Sequence, residues 1–268
     1  MLAQQRQSWI LDQIKQHGGV RVADLVRSSG VSDMTIRRDI EVLAERGLVG
    51  KVHGGAVALD RATDEPGYAT KSTRQRAEKL AIARAAAALV QPGQAIGISA
   101  GTTTAALAHE LVGIPELTVV TNSIPVADAF YQGGRPDQTV VLSGGTRTPS
   151  DALVGLVAHE ALSQVNLDIL FLGVHGMHAR TGFTTPNLAE ADINRALLAT
   201  AREVVVVADH TKWDLIGIAT VAPLSAAHVV VSDTGLSSEA IASLREHVGE
   251  LIIAEIAGGA DNRPLRTQ

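Results

Sequence analysis

From residue 77 to residue 248 the sequence alternates short apolar runs with longer stretches whose apolar residues recur at helical spacing. Short apolar runs bounded by Gly, Pro and Ser predict buried strands, and the longer periodic stretches predict helices. Alternation of this kind predicts an α/β domain with a largely parallel sheet, because each helix carries the chain back to start the next strand. The predicted strands are 95–99, 118–121, 140–142, 169–173, 204–208 and 229–232, and the predicted helices are 77–90, 105–111, 125–131, 188–201 and 237–248.

The first 57 residues have a different organisation, with three short helical patterns followed by two weak strands. The turn His53-Gly54-Gly55 separates strands at 48–52 and 56–57, and a further short strand is possible at 20–22. Three helices followed by a two-stranded hairpin predict a winged helix-turn-helix, a fold that binds DNA. The apolar residues that define the first two helices are Trp9, Ile10, Ile14, Ala23, Leu25 and Val26.

The third helix of this segment has the features of a recognition helix. Ser32 is a good N-cap, and Asp33 follows it at the positive end of the helix dipole. Ile36, Ile40 and Leu43 form one narrow apolar stripe, so the opposite face is free to contact a partner. The residues on that outward face are Met34, Arg37, Arg38 and Glu41.

We expect this helix to enter the major groove of double-stranded DNA. Arg38 would read a base edge, since arginine can donate two hydrogen bonds to guanine, and Arg37 would meet phosphate. The alternative for either arginine is a surface ion pair with Glu41, and the alternative for His53 is a cap of the wing. The residues predicted to contact DNA are Ser32, Asp33, Thr35, Arg37, Arg38, Lys51, His53 and Gly54.

The charge distribution agrees with a DNA-binding segment attached to a different kind of domain. Residues 1–57 hold eight basic and six acidic residues, a balance of +2, while the remainder holds 15 and 22, a balance of −7. The chain has no cysteine, which excludes disulfides and thiolate metal sites. Neither a signal peptide nor a run long enough to span a membrane is recognisable, so we expect a cytoplasmic protein with no membrane partner.

Four predicted strands of the α/β segment end in small or polar residues, and ligands of such sheets bind beyond the carboxyl ends of the strands. Gly101-Thr-Thr-Thr104 suits a phosphate, because glycine permits a close turn and the following helix offers free N–H groups. Lys212 would add a positive charge, although the threonines could also be an ordinary N-cap. No Walker lysine follows Gly101, which argues against a nucleoside triphosphate. The ligand residues predicted from the strand ends are Ser99, Gly101, Thr102, Thr103, Thr104, Asn122, Gly144, Gly145, Asp209 and Lys212.

The segments Val31-Ser-Asp-Met-Thr-Ile-Arg-Arg-Asp-Ile40, Leu43-Ala-Glu-Arg-Gly-Leu48 and Lys51-Val-His-Gly-Gly-Ala56 resemble the N-terminal signature of the DeoR family of bacterial transcriptional regulators. Ile40 stands where the family usually has leucine, and Lys51 where it usually has arginine. The resemblance continues in the second part through Ala100-Gly-Thr-Thr-Thr104, Val120-Thr-Asn122, Ser143-Gly-Gly145, Gly182-Phe-Thr-Thr-Pro186 and Ala208-Asp-His-Thr-Lys212.

The resemblance implies a ribose-5-phosphate-isomerase-like α/β fold that senses a phosphorylated sugar or related metabolite. It further implies repression of a catabolic operon, relieved by that metabolite. We expect no cofactor. Three positions depart from the family pattern: Ser99 stands for a usual Asp, His175 for Asn or Asp, and Asn187 for Asp. We therefore add His175 to the predicted effector contacts; a metal site is not expected, since only His178 lies beside it.

The expected organisation is a winged helix-turn-helix at 1–57, a linker at 58–76, an effector-sensing α/β domain at 77–250 and a C-terminal tail at 251–268. One helix-turn-helix reads about one half-site, so we expect a homodimer or homotetramer. The rival hypothesis is a sugar-phosphate isomerase, which needs a carboxylate base such as Glu190, Asp192 or Asp209. A DNA-binding architectural protein without a ligand is the third possibility.

Overall fold

The computed structural model describes residues 2–17, 19–58 and 67–256 of the chain. The chain divides into two compact units, Met1–Arg74 and Gln75–Gln268, and each is described by itself. Among the described residues, no helix is both long enough and apolar enough to cross a membrane.

The described residues of the first unit form four helices and a small antiparallel sheet. Strand β1, predicted as a possible short strand, pairs with β3, so the two-stranded hairpin becomes a three-stranded sheet in the order β1-β3-β2. A short helix, α4, lies inside the expected linker, whose residues 59–66 are outside the described ranges. The elements are α1 (Ala3–His17), β1 (Gly19–Arg21), α2 (Val22–Ser29), α3 (Asp33–Glu45), β2 (Val49–Val52), β3 (Gly55–Ala58) and α4 (Tyr68–Ser72).

The core of the first unit is formed by the predicted apolar stripes. The stripe Ile36, Ile40 and Leu43 of α3 is buried and packs with Ile10 and Ile14 of α1. The prediction of one inward and one outward face of α3 is therefore confirmed. Burial of a large aliphatic side chain stabilises a fold by about 1.5 to 3 kcal/mol, so these contacts fix the orientation of α3.

The second unit contains a sheet with the order β15-β14-β12-β9-β4-β5-β6, in which every pair of neighbours is parallel. The α/β fold class and the parallel sheet predicted from the alternation are confirmed. The elements are α5 (Arg76–Ala87), β4 (Ala95–Ile98), α6 (Thr102–Leu111), β5 (Thr118–Thr121), α7 (Ile124–Gly133), β6 (Thr139–Leu142), β7 (Thr146–Arg147), β8 (Leu153–Val154), α8 (Leu156–Ser163), β9 (Leu167–Gly173), β10 (Gly176–His178), β11 (Gly182–Thr185), α9 (Leu188–Thr200), β12 (Ala201–Val207), β13 (Ala219–Ala222), β14 (Val229–Asp233), α10 (Ser238–His247) and β15 (Glu250–Ala254).

Several elements of this unit differ from the expectation. Helix α6 begins at Thr102, three residues earlier than predicted, so the Thr-Thr-Thr segment forms its first turn. Helix α8, the hairpin β7–β8 and the antiparallel sheet β10-β11-β13 were not predicted. Strand β15 pairs with β14, so residues 251–254 of the expected tail belong to the sheet; residues 257–268 lie outside the described ranges.

Candidate functional site

The outward face of α3 is held in place by its N-cap and by a buried ion pair. The Ser32 side chain accepts a hydrogen bond from the Thr35 backbone N–H, as predicted, and its hydroxyl lies 2.9 Å from the Thr35 hydroxyl. On the inner side, the buried Asp39 carboxylate accepts hydrogen bonds from Arg6 Nε at 2.5 Å and from Gln7 Nε2 at 3.1 Å. These contacts fix α3 against α1 and thereby the direction in which its outer face points.

Two of the predicted DNA contacts are paired with carboxylates on the same surface. Arg37 donates two hydrogen bonds to Asp33, with Nε 2.5 Å from Oδ1 and Nη2 3.3 Å from Oδ2. The Lys51 Nζ lies 2.5 Å from Glu41 Oε1, which connects the strand β2 to α3. The expected alternative, a pair between Glu41 and an arginine of α3, is wrong: Asp33 lies one helical turn before Arg37, and Lys51 reaches Glu41 from the wing.

These ion pairs shift the acid–base behaviour of exposed groups. The hydrogen bonds that Arg37 donates to Asp33, and the negative charge of Asp33, raise the pKa of Arg37 above its ordinary value. The hydrogen bond and the charge of Lys51 lower the pKa of Glu41 below its ordinary value. Both pairs are solvent-exposed, so a phosphate can compete for the basic partner at a small cost in stability.

Arg38 differs from its neighbour, because it makes no ion pair or hydrogen bond within the described ranges, and it is exposed. His53 is also exposed at the turn between β2 and β3. The two glycines of this turn have separate roles. Gly54 has a φ of +79° with open space around it, while a Cβ on Gly55 would lie 2.2 Å from the Val20 carbonyl oxygen. Gly55 therefore serves the packing of β3 on β1, and Gly54 the turn.

In the second unit, the predicted ligand residues lie at one edge of the sheet, where β12, β9, β4, β5 and β6 end; we call it the carboxyl edge. These strands are consecutive and parallel, and neighbouring strands are about 4.8 Å apart. The edge therefore brings together segments that are far apart in sequence. In strand order it carries Asp209 and Lys212, His175, Ser99 with Gly101–Thr104, Asn122, and Gly144 with Gly145.

Ser99 and Asn122 are fully buried, and the rest of the protein satisfies their polar groups. The Ser99 hydroxyl accepts from the Gly173 backbone N–H at 2.9 Å. The Asn122 side chain accepts from the Ala100 N–H at 3.0 Å and donates to the Leu153 carbonyl at 3.2 Å. These two residues shape the loop after β4 by joining it to β9, β5 and β8.

The first turn of α6 has the opposite character. Its N-cap residue, Gly101, supplies no side-chain cap, so the first backbone N–H groups of the helix have no partner in the helix itself. The Thr104 hydroxyl donates to the Gly101 carbonyl at 3.0 Å. The hydroxyls of Thr102 and Thr103, in contrast, make no hydrogen bond within the part of the chain that the structure describes. The turn therefore presents donors and the positive end of a helix dipole, an arrangement that binds anions.

Lys212 adds the positive charge expected at this edge. It ends a short 3-10 turn that Asp209 caps: the Asp209 carboxylate accepts from the backbone N–H of Thr211 at 3.1 Å and from the Thr211 hydroxyl. The half-buried Lys212 side chain has no ion-pair partner among the described residues. Asp209 therefore holds the turn that ends at Lys212, and the charge of Lys212 has no partner among the described residues.

The remaining predicted positions form the walls of the edge. Gly144 and Gly145 have φ values of +72° and +113°, and a Cβ on Gly145 would lie 2.5 Å from the Val154 carbonyl oxygen. The backbone N–H of the half-buried His175 donates to the Thr184 carbonyl at 3.2 Å. Within residues 2–17, 19–58 and 67–256, no three His, Asp or Glu side chains come together as a metal site.

The carboxylates considered for an isomerase have other contacts or other positions. Asp209 is buried in the cap of the 3-10 turn. Glu190 accepts a hydrogen bond from the Thr148 hydroxyl at 2.6 Å, which links the β7–β8 hairpin to α9. Asp192 is exposed on the surface of α9.

Two structural contacts were missed by the reasoning from sequence. Asp39 stands in the middle of the apolar stripe between Ile36 and Ile40, so a charge facing the core was a detectable signal for a buried partner. The fully buried Asp233 accepts from the His210 backbone N–H and lies 2.8 Å from His210 Nδ1. That pair joins the ends of β14 and β12, and no sequence pattern predicts it.

Each of the two units matches a known family of protein domains. The family model of the DeoR-like helix-turn-helix domain matches residues 6–62. The family model of the DeoR C terminal sensor domain matches residues 74–234. Together the two matches cover α3, the wing and all five strands that end at the carboxyl edge.

Two named relatives align with this chain over most of their length. The chain is 31% identical to the glycerol-3-phosphate regulon repressor of Escherichia coli (strain K12), over 91% of this chain and 96% of that protein. It is 34% identical to a protein of Bacillus subtilis (strain 168) named as an uncharacterised HTH-type transcriptional regulator, over 87% of this chain and 92% of that protein. Among solved structures, ribose 5-phosphate isomerase A from Methanocaldococcus jannaschii aligns with a TM-score of 0.37 and 20% identity, over 50% of this chain and 53% of that one.

Proposed function

The chain belongs to the DeoR family of transcriptional regulators, and from that premise we propose that it is a repressor whose operator binding is modulated by a phosphorylated sugar or related metabolite. The operon would serve sugar or carbon catabolism. The protein would act in the cytoplasm as a homodimer or homotetramer on double-stranded operator DNA. The single observation that carries the effector proposal is the uncapped first turn of α6 with Lys212 at the same carboxyl edge.

The proposed DNA contacts follow from the exposed face of α3 and the wing. Arg38 is exposed and unpaired within the described ranges, so it is available for guanine. Arg37 and Lys51 would exchange their carboxylate partners for phosphates. The remaining proposed contacts are Ser32, Asp33, Thr35, His53 and Gly54.

In the proposed effector site, the phosphate group binds the N–H groups and hydroxyls of Thr102 and Thr103. Lys212 follows β12, which lies two strands from β4, a span of about 10 Å. That distance suits an extended side chain reaching toward a ligand a few ångströms long. Ser99, Asn122 and Asp209 would hold the walls, and Gly144, Gly145 and His175 would complete the enclosure.

The chemistry argues against an isomerase acting at this edge. An aldose–ketose isomerase moves a proton with a positioned carboxylate. Of the three candidates, Asp209 and Glu190 are already engaged by hydroxyl groups, and Asp192 is exposed on α9. We therefore propose a sensor without catalytic activity that needs no cofactor.

The experiment measures binding of the purified protein to DNA flanking its own gene, by fluorescence anisotropy at fixed salt. Sugar phosphates and polyol phosphates are added one at a time, each beside its unphosphorylated counterpart. We expect sequence-specific binding that one or more phosphorylated compounds changes and their counterparts do not. Turnover of ribose 5-phosphate by the same preparation, or binding that no compound affects, would contradict the proposal.

A further inference from the structure

Strand β6 ends the seven-stranded sheet and exposes apolar side chains on both of its faces. Among the described strands it pairs with β5 alone. Val140, Val141 and Leu142 are 37%, 40% and 43% exposed, and residues 139–143 carry no charge. Exposed sheet edges of soluble proteins usually carry lysine, proline or a bulge that prevents pairing with another chain. This edge has none of these protections.

The free backbone groups of β6 can be identified from its bonds to β5. The N–H groups of Thr139 and Ser143 donate to the carbonyls of Leu117 and Thr121, each at 2.9 Å. In a strand, the backbone N–H and C=O of one residue point to the same side, and that side alternates from each residue to the next. Since the backbone groups of Thr139 and Ser143 point toward β5, those of Val140 and Leu142 point away from it. Two N–H donors and two carbonyl acceptors therefore face outward.

We propose that β6 pairs in antiparallel fashion with β6 of a second copy of this chain, around a two-fold axis at Val141. This register places Val140 opposite Leu142 of the second copy, and both residues point their backbone groups at each other. All outward groups of the strand are then bonded, in four hydrogen bonds. If the two-fold axis lay at Val140 or Leu142 instead, half of the outward groups of β6 would have to bond to residues that lie outside the strand in the second copy.

The second copy fits this edge better than another partner for two reasons. The strand is uncharged and complementary to itself, which a closed two-fold interface requires. The inference also rests on the proposed function, because operators are commonly bound by two helix-turn-helix units related by a two-fold axis.

A four-residue strand is too small to hold a stable dimer, which commonly buries about 800 Å² per partner. The apolar surface of this unit continues beyond the strand. A Cβ on Gly144 would lie 3.5 Å from Val157 Cγ1, so the first turn of α8 adjoins the end of β6. Val157 is 64% exposed and Leu156 75% exposed. The interface would therefore extend from β6 onto α8.

Cysteine cross-linking tests the register, and the natural chain has no cysteine. In the proposed dimer, two Val141 residues form a non-hydrogen-bonded pair with Cα atoms about 4.5 Å apart, which suits a disulfide. Two Thr139 residues would be about 13 Å apart, four residues along an extended strand. We expect Val141→Cys to give a covalent dimer under mild oxidation and Thr139→Cys, on the same strand, to stay uncross-linked. Equal cross-linking of both variants, or none in Val141→Cys, would overturn the register.

Sedimentation of the full chain tests the interface itself. We expect Val141→Lys to lower the mass of the native assembly, while Leu188→Lys, an exposed apolar position on α9 that is 66% exposed, leaves it unchanged. An unchanged mass in Val141→Lys, or a monomeric wild type, would overturn the proposal. Circular dichroism checks the folding of each variant, and the cysteine experiment decides if Val141→Lys unfolds. Neither measurement uses DNA or effector, so a failure of operator binding remains a separate result.

Discussion

Polar groups have opposite environments on the exposed face of α3 with the wing, in the first unit, and at the carboxyl edge of the second unit. On α3 and the wing, Arg37 and Lys51 are exposed and paired with carboxylates that are equally exposed. At the carboxyl edge, Ser99 and Asn122 are buried and bonded to backbone, and only a few donors remain open.

This difference matches the two kinds of partner that we propose. DNA presents many similar phosphates, so exposed side chains that exchange partners are sufficient, while Arg38, which has no partner among the described residues, selects a base. A small effector presents few groups, so its site must be fixed in advance by buried hydrogen bonds. The comparison predicts that substitutions of buried polar residues with hydrogen-bond partners reduce stability, and that substitutions of polar residues without a partner among the described residues reduce only binding.

The largest effect is expected from the ion pair beneath α3. Asp39→Ala removes the buried carboxylate that accepts from Arg6, whose side chain is 11% exposed, and from Gln7. Loss of one partner of a buried pair costs about 3 to 5 kcal/mol, and chemical denaturation should show that loss in the transition of the first unit. The control is Asp24→Ala, since the pair Arg27–Asp24 is exposed and should contribute below about 1 kcal/mol. Equal losses of unfolding free energy in both variants would show that the buried pair contributes no more to stability than the exposed pair.

The next largest effect is expected at the carboxyl edge. Asn122→Ala removes an acceptor from the Ala100 N–H and a donor from the Leu153 carbonyl, and unsatisfied groups of this kind cost about 1 to 3 kcal/mol each. Thr103→Ala should change the unfolding free energy little, because its hydroxyl has no partner among the described residues. Denaturant titration of both variants measures their unfolding free energies. A clear loss of stability in Thr103→Ala would contradict the assignment of its hydroxyl as a donor without an internal partner.

Arg38→Ala should weaken operator binding by about 1 to 3 kcal/mol and relax the preference at one base pair. Arg37→Ala should instead weaken binding to all sequences and lower the salt dependence by about one phosphate contact. Anisotropy titrations with the operator and with single-base variants separate the two. A uniform loss in Arg38→Ala would show that Arg38 binds phosphate.

The smallest effect is expected from Glu41→Gln, which releases Lys51 from an exposed pair. Binding to DNA should become slightly tighter at low salt and more salt-dependent, because one more cation is free for phosphate. The pKa of Glu41 is lowered in the folded protein, so the contribution of the Glu41–Lys51 pair to stability depends on pH. That contribution is fully present above the pKa of Glu41 in the unfolded chain, about 4.3. It is lost as the pH falls through the lower pKa of the folded protein. Unchanged salt dependence would show that Lys51 stays away from phosphate.

Most of the fold was predictable because its signals are local. The apolar stripe of α3, the N-cap Ser32 and the alternation of strands with helices each follow from a few neighbouring residues. Helix α8 and the sheet β10-β11-β13 were missed because their elements are short and take their stability from non-local packing. The pairing of Arg37 with Asp33 rather than Glu41 was also missed, since both spacings are compatible with a helix and only the position of Lys51 decides.

The candidate site was predictable in its location and less so in its chemistry. Strand ends identified the carboxyl edge, because parallel strands must end together. The sequence could not show that Asn122 and Asp209 are engaged in internal hydrogen bonds while Thr103 and Lys212 are open. That division depends on hydrogen-bond partners that are distant in sequence, such as Leu153.

The most direct test of the central claim is operator binding by Lys212→Met with and without the phosphorylated compound that modulates the wild type. The claim predicts that the variant binds the operator with wild-type affinity in the absence of the compound and no longer responds to it. A variant that responds like the wild type, or one that remains folded but fails to bind the operator, would contradict the assignment of Lys212 to the effector site.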